Sequence, residues 1–151
     1  MRYFLDTEFN GFGGDLLSLA LVPEDSADEF YVTLICDAEL LSWVEQNVVP
    51  FLDHVPASLQ SPRLSRRDAA IGLSHYLAMD PQPLIVADWP EDIAQFCKLL
   101  MTGPGEMVPV PRLSFQLLPL GGFSTAANSA VPHNALHDAR ALCEHVLGLE
   151  S

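Results

Sequence analysis

Basic residues are scarce in this chain: 7 Lys and Arg stand against 20 Asp and Glu, for a formal net charge of −13. A protein that coats long nucleic acid by releasing counterions needs the opposite balance. A duplex binder with many phosphate contacts is therefore not expected, and a short single-stranded ligand is easier to accept. Cysteine is also sparse. Cys36, Cys97 and Cys143 are odd in number, widely scattered and never in C-x-x-C spacing, which argues against a disulfide framework or a structural zinc site and for reduced core thiols. No apolar run approaches the roughly 18 to 20 residues of a membrane span. The chain reaches Asp6 too soon to hold the apolar core of a secretory leader, so the expectation is a soluble cytoplasmic protein. Neither an internal repeat nor a linker divides the 151 residues, and with 49% hydrophobic residues a single domain over 1–151 is expected.

What the sequence does contain is an apolar run carrying two acids, Tyr3-Phe4-Leu5-Asp6-Thr7-Glu8-Phe9. In a strand, Asp6 and Glu8 share one face while Leu5, Thr7 and Phe9 share the other. Two carboxylates side by side on a buried strand repel, and each raises the other's pKa unless a cation or a proton lies between them. Hard divalent cations such as Mg²⁺ bind through such carboxylates and keep waters for a substrate to displace. A solvated surface strand would explain the same residues, but the flanking Tyr, Phe and Leu favour a central one.

After the turn Asn10-Gly11-Phe12-Gly13-Gly14-Asp15, Leu16 to Val22 reads as a strand buried on both faces, with Leu17, Leu19 and Leu21 sharing one of them. Asp28 to Leu34 reads as a third strand. Asp37 is expected to cap a helix from about Ala38 to Val48, and Ser65 a helix over Arg66 to Met79. Leu84-Ile85-Val86-Ala87 reads as an interior parallel strand followed by a helix from about Glu91 to Met101, which Thr102-Gly103-Pro104-Gly105 stops. Within Val108 to Leu118 the prolines place a strand at an edge or delay its start to Leu113. A small-residue loop over Gly121 to Pro132 precedes the last helix, Asn134 or Ala135 to Leu147. The order βββ-α-α-β-α-β-α gives an α/β fold with a mixed sheet.

On the last helix Asp138 lies next to the apolar side formed by Ala135, Leu136, Ala139 and Leu142, where an acid needs a partner. A metal shared with Asp6 and Glu8 would supply one. In a continuous helix His133 would stand about 140° from Asp138, so it converges on the same place only from just before the helix, with Asn134 as N-cap. His54, His75 and His145 lack partner spacing, and His137 should face away from His133.

The D-x-E strand followed by H-x-A-x-x-D at the head of a C-terminal helix resembles the DEDDh 3′→5′ exonucleases. Arg2 to Phe9 and Arg63-Leu64-Ser65-Arg66-Arg67 look most like the small ribonuclease-T-like bacterial exoribonucleases, over Met1 to about Leu147. The resemblance implies a ribonuclease-H-like fold, three antiparallel strands then parallel ones flanked by helices. It implies a two-metal site using Mg²⁺ or Mn²⁺, with Asp6, Glu8 and Asp138 on one ion and Asp6 and a middle acid on the other. Asp88 and Asp92 both qualify as that acid; Asp92, at a helix start with Ile93, Phe96 and Cys97 behind it, is favoured. His133 would be the general base. In such a fold Phe9 and Phe12 would meet terminal bases, although Phe9 would serve equally as core. Because basic residues are scarce, Arg66, Arg67 and Arg112 are the candidates for phosphate contacts, and a solvated helix face explains Arg66 and Arg67 equally well. The implied activity releases nucleoside 5′-monophosphates from single-stranded RNA 3′ ends, and relatives of this kind often pair as homodimers. A DNA-directed exonuclease shares the same motifs. A non-catalytic binding module is the reading from another class, and a full set of crowded acids argues against it.

Overall fold

The acid-bearing run lies at the centre of the sheet. A computed structural model describes residues 1–151. Its strands are β1 (Arg2–Phe9), β2 (Leu16–Pro23), β3 (Phe30–Thr33), β4 (Leu84–Ala87), β5 (Met101–Gly103), β6 (Glu106–Met107) and β7 (Ser114–Leu117). The helices are α1 (Ser42–Asn47), α2 (Arg66–Leu77), α3 (Pro90–Leu100), the single turn α4 (Thr125–Asn128) and α5 (Ala135–Glu150). Five strands form a mixed sheet in the order β3-β2-β1-β4-β7. β1–β2 and β2–β3 are antiparallel; β1–β4 and β4–β7 are parallel. Helices cover both faces, which makes this an α/β fold. No helix is long and apolar enough to cross a membrane.

Alternation along β1 sorts the core into two layers. Tyr3 and Leu5 join Leu19, Leu21, Val32 and Ile85 beneath the α2 and α3 residues Leu73, Leu77, Phe96 and Leu99. Phe4 points the other way, into a cluster with Ala20, Val22, Val86 and the α5 residues Leu136, Ala139 and Leu142. The two faces therefore meet different helices, as the two-sided apolar pattern of β2 requires.

The register of β1 on β2 steps from Glu8–Ser18 to Phe9–Leu16, so Leu17 has no partner on β1. A bulge of this kind re-aims the extra side chain. Leu17 thus leaves the face of Leu19 and Leu21, where strict alternation had put it, and packs with Val44, Val48 and Leu52 as the floor for α1. That helix is shorter than the sequence pattern suggests, and Asp37 does not cap it. The Asn10 side chain explains why: it donates to the Glu39 carbonyl at 2.9 Å and accepts from the Leu41 N–H at 2.9 Å, holding the segment before Ser42 out of the helix. The stop after α3 proves to be a small hairpin, β5 and β6, turned at Pro104-Gly105 with Gly105 at φ 67°. The strand expected near Leu113 begins at Ser114 on the sheet edge.

Asn134 holds the start of α5 in two ways. Its side-chain oxygen accepts from the Leu136 and His137 N–H groups, and its amide donates to the Phe51 carbonyl at 2.8 Å. Because Asn134 is buried, Asn134→Ala removes the cap and orphans that carbonyl. The expected loss is about 2 kcal/mol, read from the urea midpoint; a change below about 0.5 kcal/mol, the range of a featureless surface site, would contradict this role.

Candidate functional site

Three chain segments meet at the carboxyl end of β1. The parallel pairing with β4 runs only from Arg2–Leu84 to Phe4–Val86, so β1 continues beyond its neighbour and leaves a gap beside Asp6 and Glu8. α3 starts at one side of that gap and α5 at the other. Into it open Asp6, Glu8 and Phe9 from β1, Asp88 and Trp89 from the end of β4, Asp92 from α3, and His133 and Asp138 at the head of α5. Phe123 to Ala126 form the remaining lip of a cleft of about 350 Å³.

Thr7, between the two acids, holds Asp92. It pairs with Leu19 on β2 but has no partner on the β4 side, where its N–H donates to Asp92 Oδ1 at 3.1 Å and its hydroxyl donates to the same oxygen at 2.6 Å. Asp92 is 4% exposed and lies in the first turn of α3 behind Pro90, where the helix dipole favours a negative charge. Asp88 also lines the cleft, half-buried at the strand end, with no side-chain partner of this kind.

Glu8, His133 and Asp138 each bring one potential ligand atom within 4.8 Å of the others. Asp6 stands among the acids: burial first, then the charges of Asp92, Glu8, Asp138 and Asp88, hold its carboxyl well above the ordinary carboxylate range. Burial, with Asp138 and Asp92 adding to it, pushes Glu8 up to about 8. Burial also lifts Asp92 to about 7 against the hydrogen bonds from Thr7, and raises Asp138 and Asp88. Asp6 Oδ2 and Asp138 Oδ1 are buried and accept no hydrogen bond. Such orphaned oxygens among like charges are what a divalent cation would satisfy, so the donor set fits one.

His133 reaches the cleft from a left-handed backbone conformation, φ 61°, directly before the capped helix. His137 turns away, and its Nε2 lies 2.8 Å from the His54 carbonyl, so that nitrogen carries the proton. Phe9 lines the cleft, but Phe12 and Arg66 do not. Phe12 is 99% exposed at the tip of the β1–β2 turn, beside Trp89 and Lys98 on the flank of α3. That turn is pinned by α3, whose Glu91 accepts from the Gly13 N–H at 3.0 Å and whose Gln95 donates to the Gly14 carbonyl at 2.9 Å. Arg66 is the first residue of α2. The burial of Ala69, Ala70, Leu73 and Leu77 turns it outward to a separate depression shared with Asp15 and Asp37. Arg67 and Arg112 are likewise exposed outside the cleft.

Sequence reasoning missed Thr7, the Phe123-to-Ala126 lip, and Trp43, whose ring meets that of His133 edge to face. Thr7 carried a signal, a hydrogen-bonding side chain between two acids on a buried strand; the lip and Trp43 carried none. Between Glu106 and Asp138 the chain has no acid at all, and the lip lies within that stretch.

The site is thus a cluster of buried carboxylates with one imidazole, a set suited to divalent cations. No protein-family profile matches the chain, and no curated protein matches it either.

Proposed function

We propose that the chain is a ribonuclease-H-like 3′→5′ exonuclease of the DEDDh kind, a metal-dependent phosphodiester hydrolase acting in the cytoplasm on single-stranded RNA ends. The observation that carries this reading is the convergence of Asp6, Glu8, Asp92, Asp138 and His133 from three distant segments on one cleft, with buried carboxylate oxygens left without partners. Asp6, Glu8, Asp138 and Asp92 would hold two divalent ions, Mg²⁺ or Mn²⁺. When bound, such a pair stabilises the attacking and leaving oxygens of an in-line displacement at phosphorus.

The remaining work belongs to side chains. His133, beside Glu8 and Asp138 in the cleft, takes the proton of the attacking water and passes it on to solvent. Thr7 keeps Asp92 in place through two hydrogen bonds to one of its oxygens. Phe9 offers an aromatic surface to the terminal base. Because all five polar residues come from one chain, a homodimer would add substrate contacts rather than complete this set.

The test is incubation of the protein and an Asp6→Ala variant with 5′-labelled single-stranded RNA and DNA, in Mg²⁺, Mn²⁺ or EDTA. RNA is expected to shorten from its 3′ end only with metal and only with the parent protein. Preferential DNA shortening would reassign the substrate, and no shortening in any arm would remove the enzyme reading in favour of a binding module.

A further inference from the structure

A general base must be aimed as well as present, and the usual device is a hydrogen bond from a third group to its second nitrogen. His133 has none: the only hydrogen bond made by a histidine ring in this protein belongs to His137. What meets the His133 ring is the indole of Trp43, with ring centroids 4.9 Å apart and planes at 79°. Edge-to-face pairs at this separation are favourable and directional.

Trp43 is 55% exposed, too open for a core residue, yet the helix that carries it is firmly seated. Its neighbour Val44 is buried with Val48 and Leu52 on the re-aimed Leu17. Asn10 fixes the segment before α1, and the Leu41 side chain fills the space that a Cβ at Gly11 would need. The Asn134 amide, bonded to the Phe51 carbonyl, ties the segment after α1 to the residue following His133. His133 has a left-handed backbone, φ 61°, a conformation that persists only where its surroundings hold it.

We propose that Trp43 is the positioning residue that aims the His133 imidazole at Glu8 and Asp138. The proposal rests on His133 acting as the base, so its test has one arm independent of catalysis. In the metal-free protein, NMR cross-relaxation between the Trp43 indole and the His133 ring protons, assigned with His133→Ala, is expected; its absence would overturn the proposal. In steady-state cleavage of a short RNA, Trp43→Leu leaves the base present but loose. It is expected to lower kcat by about 10- to 100-fold with little change in KM, a part of the roughly 10²–10⁴ a base supplies. Trp43→Phe, which keeps a ring, should restore most of the rate, and Trp43→Leu should cost nothing more once His133 is Ala. A raised KM with unchanged kcat, or additive losses in the double variant, would make Trp43 a substrate contact and overturn the proposal. No cleavage by the wild type would overturn it together with the nuclease reading, whereas cleavage indifferent to Trp43 would overturn it alone.

Discussion

Asp138→Asn is expected to abolish nuclease activity while making the metal-free protein more stable. The two effects share one cause. Asp138 is 3% exposed, one of its oxygens has no partner, and burial already holds its carboxyl above the ordinary range. Its charge in turn raises Glu8 and Asp6. An amide of the same shape removes the repulsion at every pH but offers a cation no charge. The rate should fall by at least about 10²–10³-fold, the usual cost of deleting one electrostatic stabiliser of a transition state. At pH 8 in EDTA the fold should gain on the order of 1 kcal/mol, or about 2–4 °C in Tm for a domain of this size. As the pH falls and the raised parent carboxyl takes up its proton, the gain should shrink. A variant that melts below the parent at pH 8 would show that the acids are not in conflict.

The second large effect is the pH dependence of the metal-free fold and its reversal by cations. Glu8 and Asp92 titrate near 8 and 7 instead of their ordinary values near 4. A carboxyl raised in the folded state binds its proton more tightly there than in the unfolded chain, so stability falls as pH rises. Its contribution is fully present below the ordinary value and is lost on passing through 7 to 8. Between pH 5 and 8 the raised pair therefore predicts a decline in Tm. Asp53 and Glu24, lowered by Arg63 and Arg2, have the opposite sign, but they act only below their ordinary values. Mn²⁺ at a hundredfold excess over its Kd should restore about 2.7 kcal/mol, roughly 5–10 °C, and should release protons on binding at pH 6. Thermal melts across pH 5 to 8 with and without Mn²⁺ check this; a metal-free Tm that is flat or rising over that window would contradict it.

Much of the scaffold could be read from the chain because its signals are local. The β1 run, the unbroken apolar stretch of β4, Ser65 before α2 and Asn134 before α5 each carry their own cue, and the structure has elements at all four. Asp6, Glu8, His133 and Asp138 could be brought together from β1 and the head of α5, whereas Asp92 entered only through the family resemblance. What could not be read depended on distant partners. Alternation along an all-apolar β2 is blind to a bulge, so Leu17 was assigned to the wrong face. The late start of α1 is imposed by Asn10, some thirty positions earlier, through two hydrogen bonds no pattern in α1 encodes. Phe12 and Arg66 were plausible substrate contacts by type, but their direction is set by α3 pinning a turn and by the buried face of α2. Asp88 and Asp92 were close rivals in sequence; the bonds from Thr7 distinguish them by geometry.

The acid-free stretch between Glu106 and Asp138 has a consequence for approach. With a net charge of −13, the surface repels any polyanion from most directions, and the cleft floor adds its own acids. The lip from Phe123 to Ala126 interrupts that field along one side of the opening. A strand of nucleic acid would meet the weakest repulsion there and lie across that rim with its end toward the carboxylates. In a molecule whose acids outnumber its bases 20 to 7, orientation would then be set by where negative charge has been left out, a guide rail made of the neutral residues of that lip.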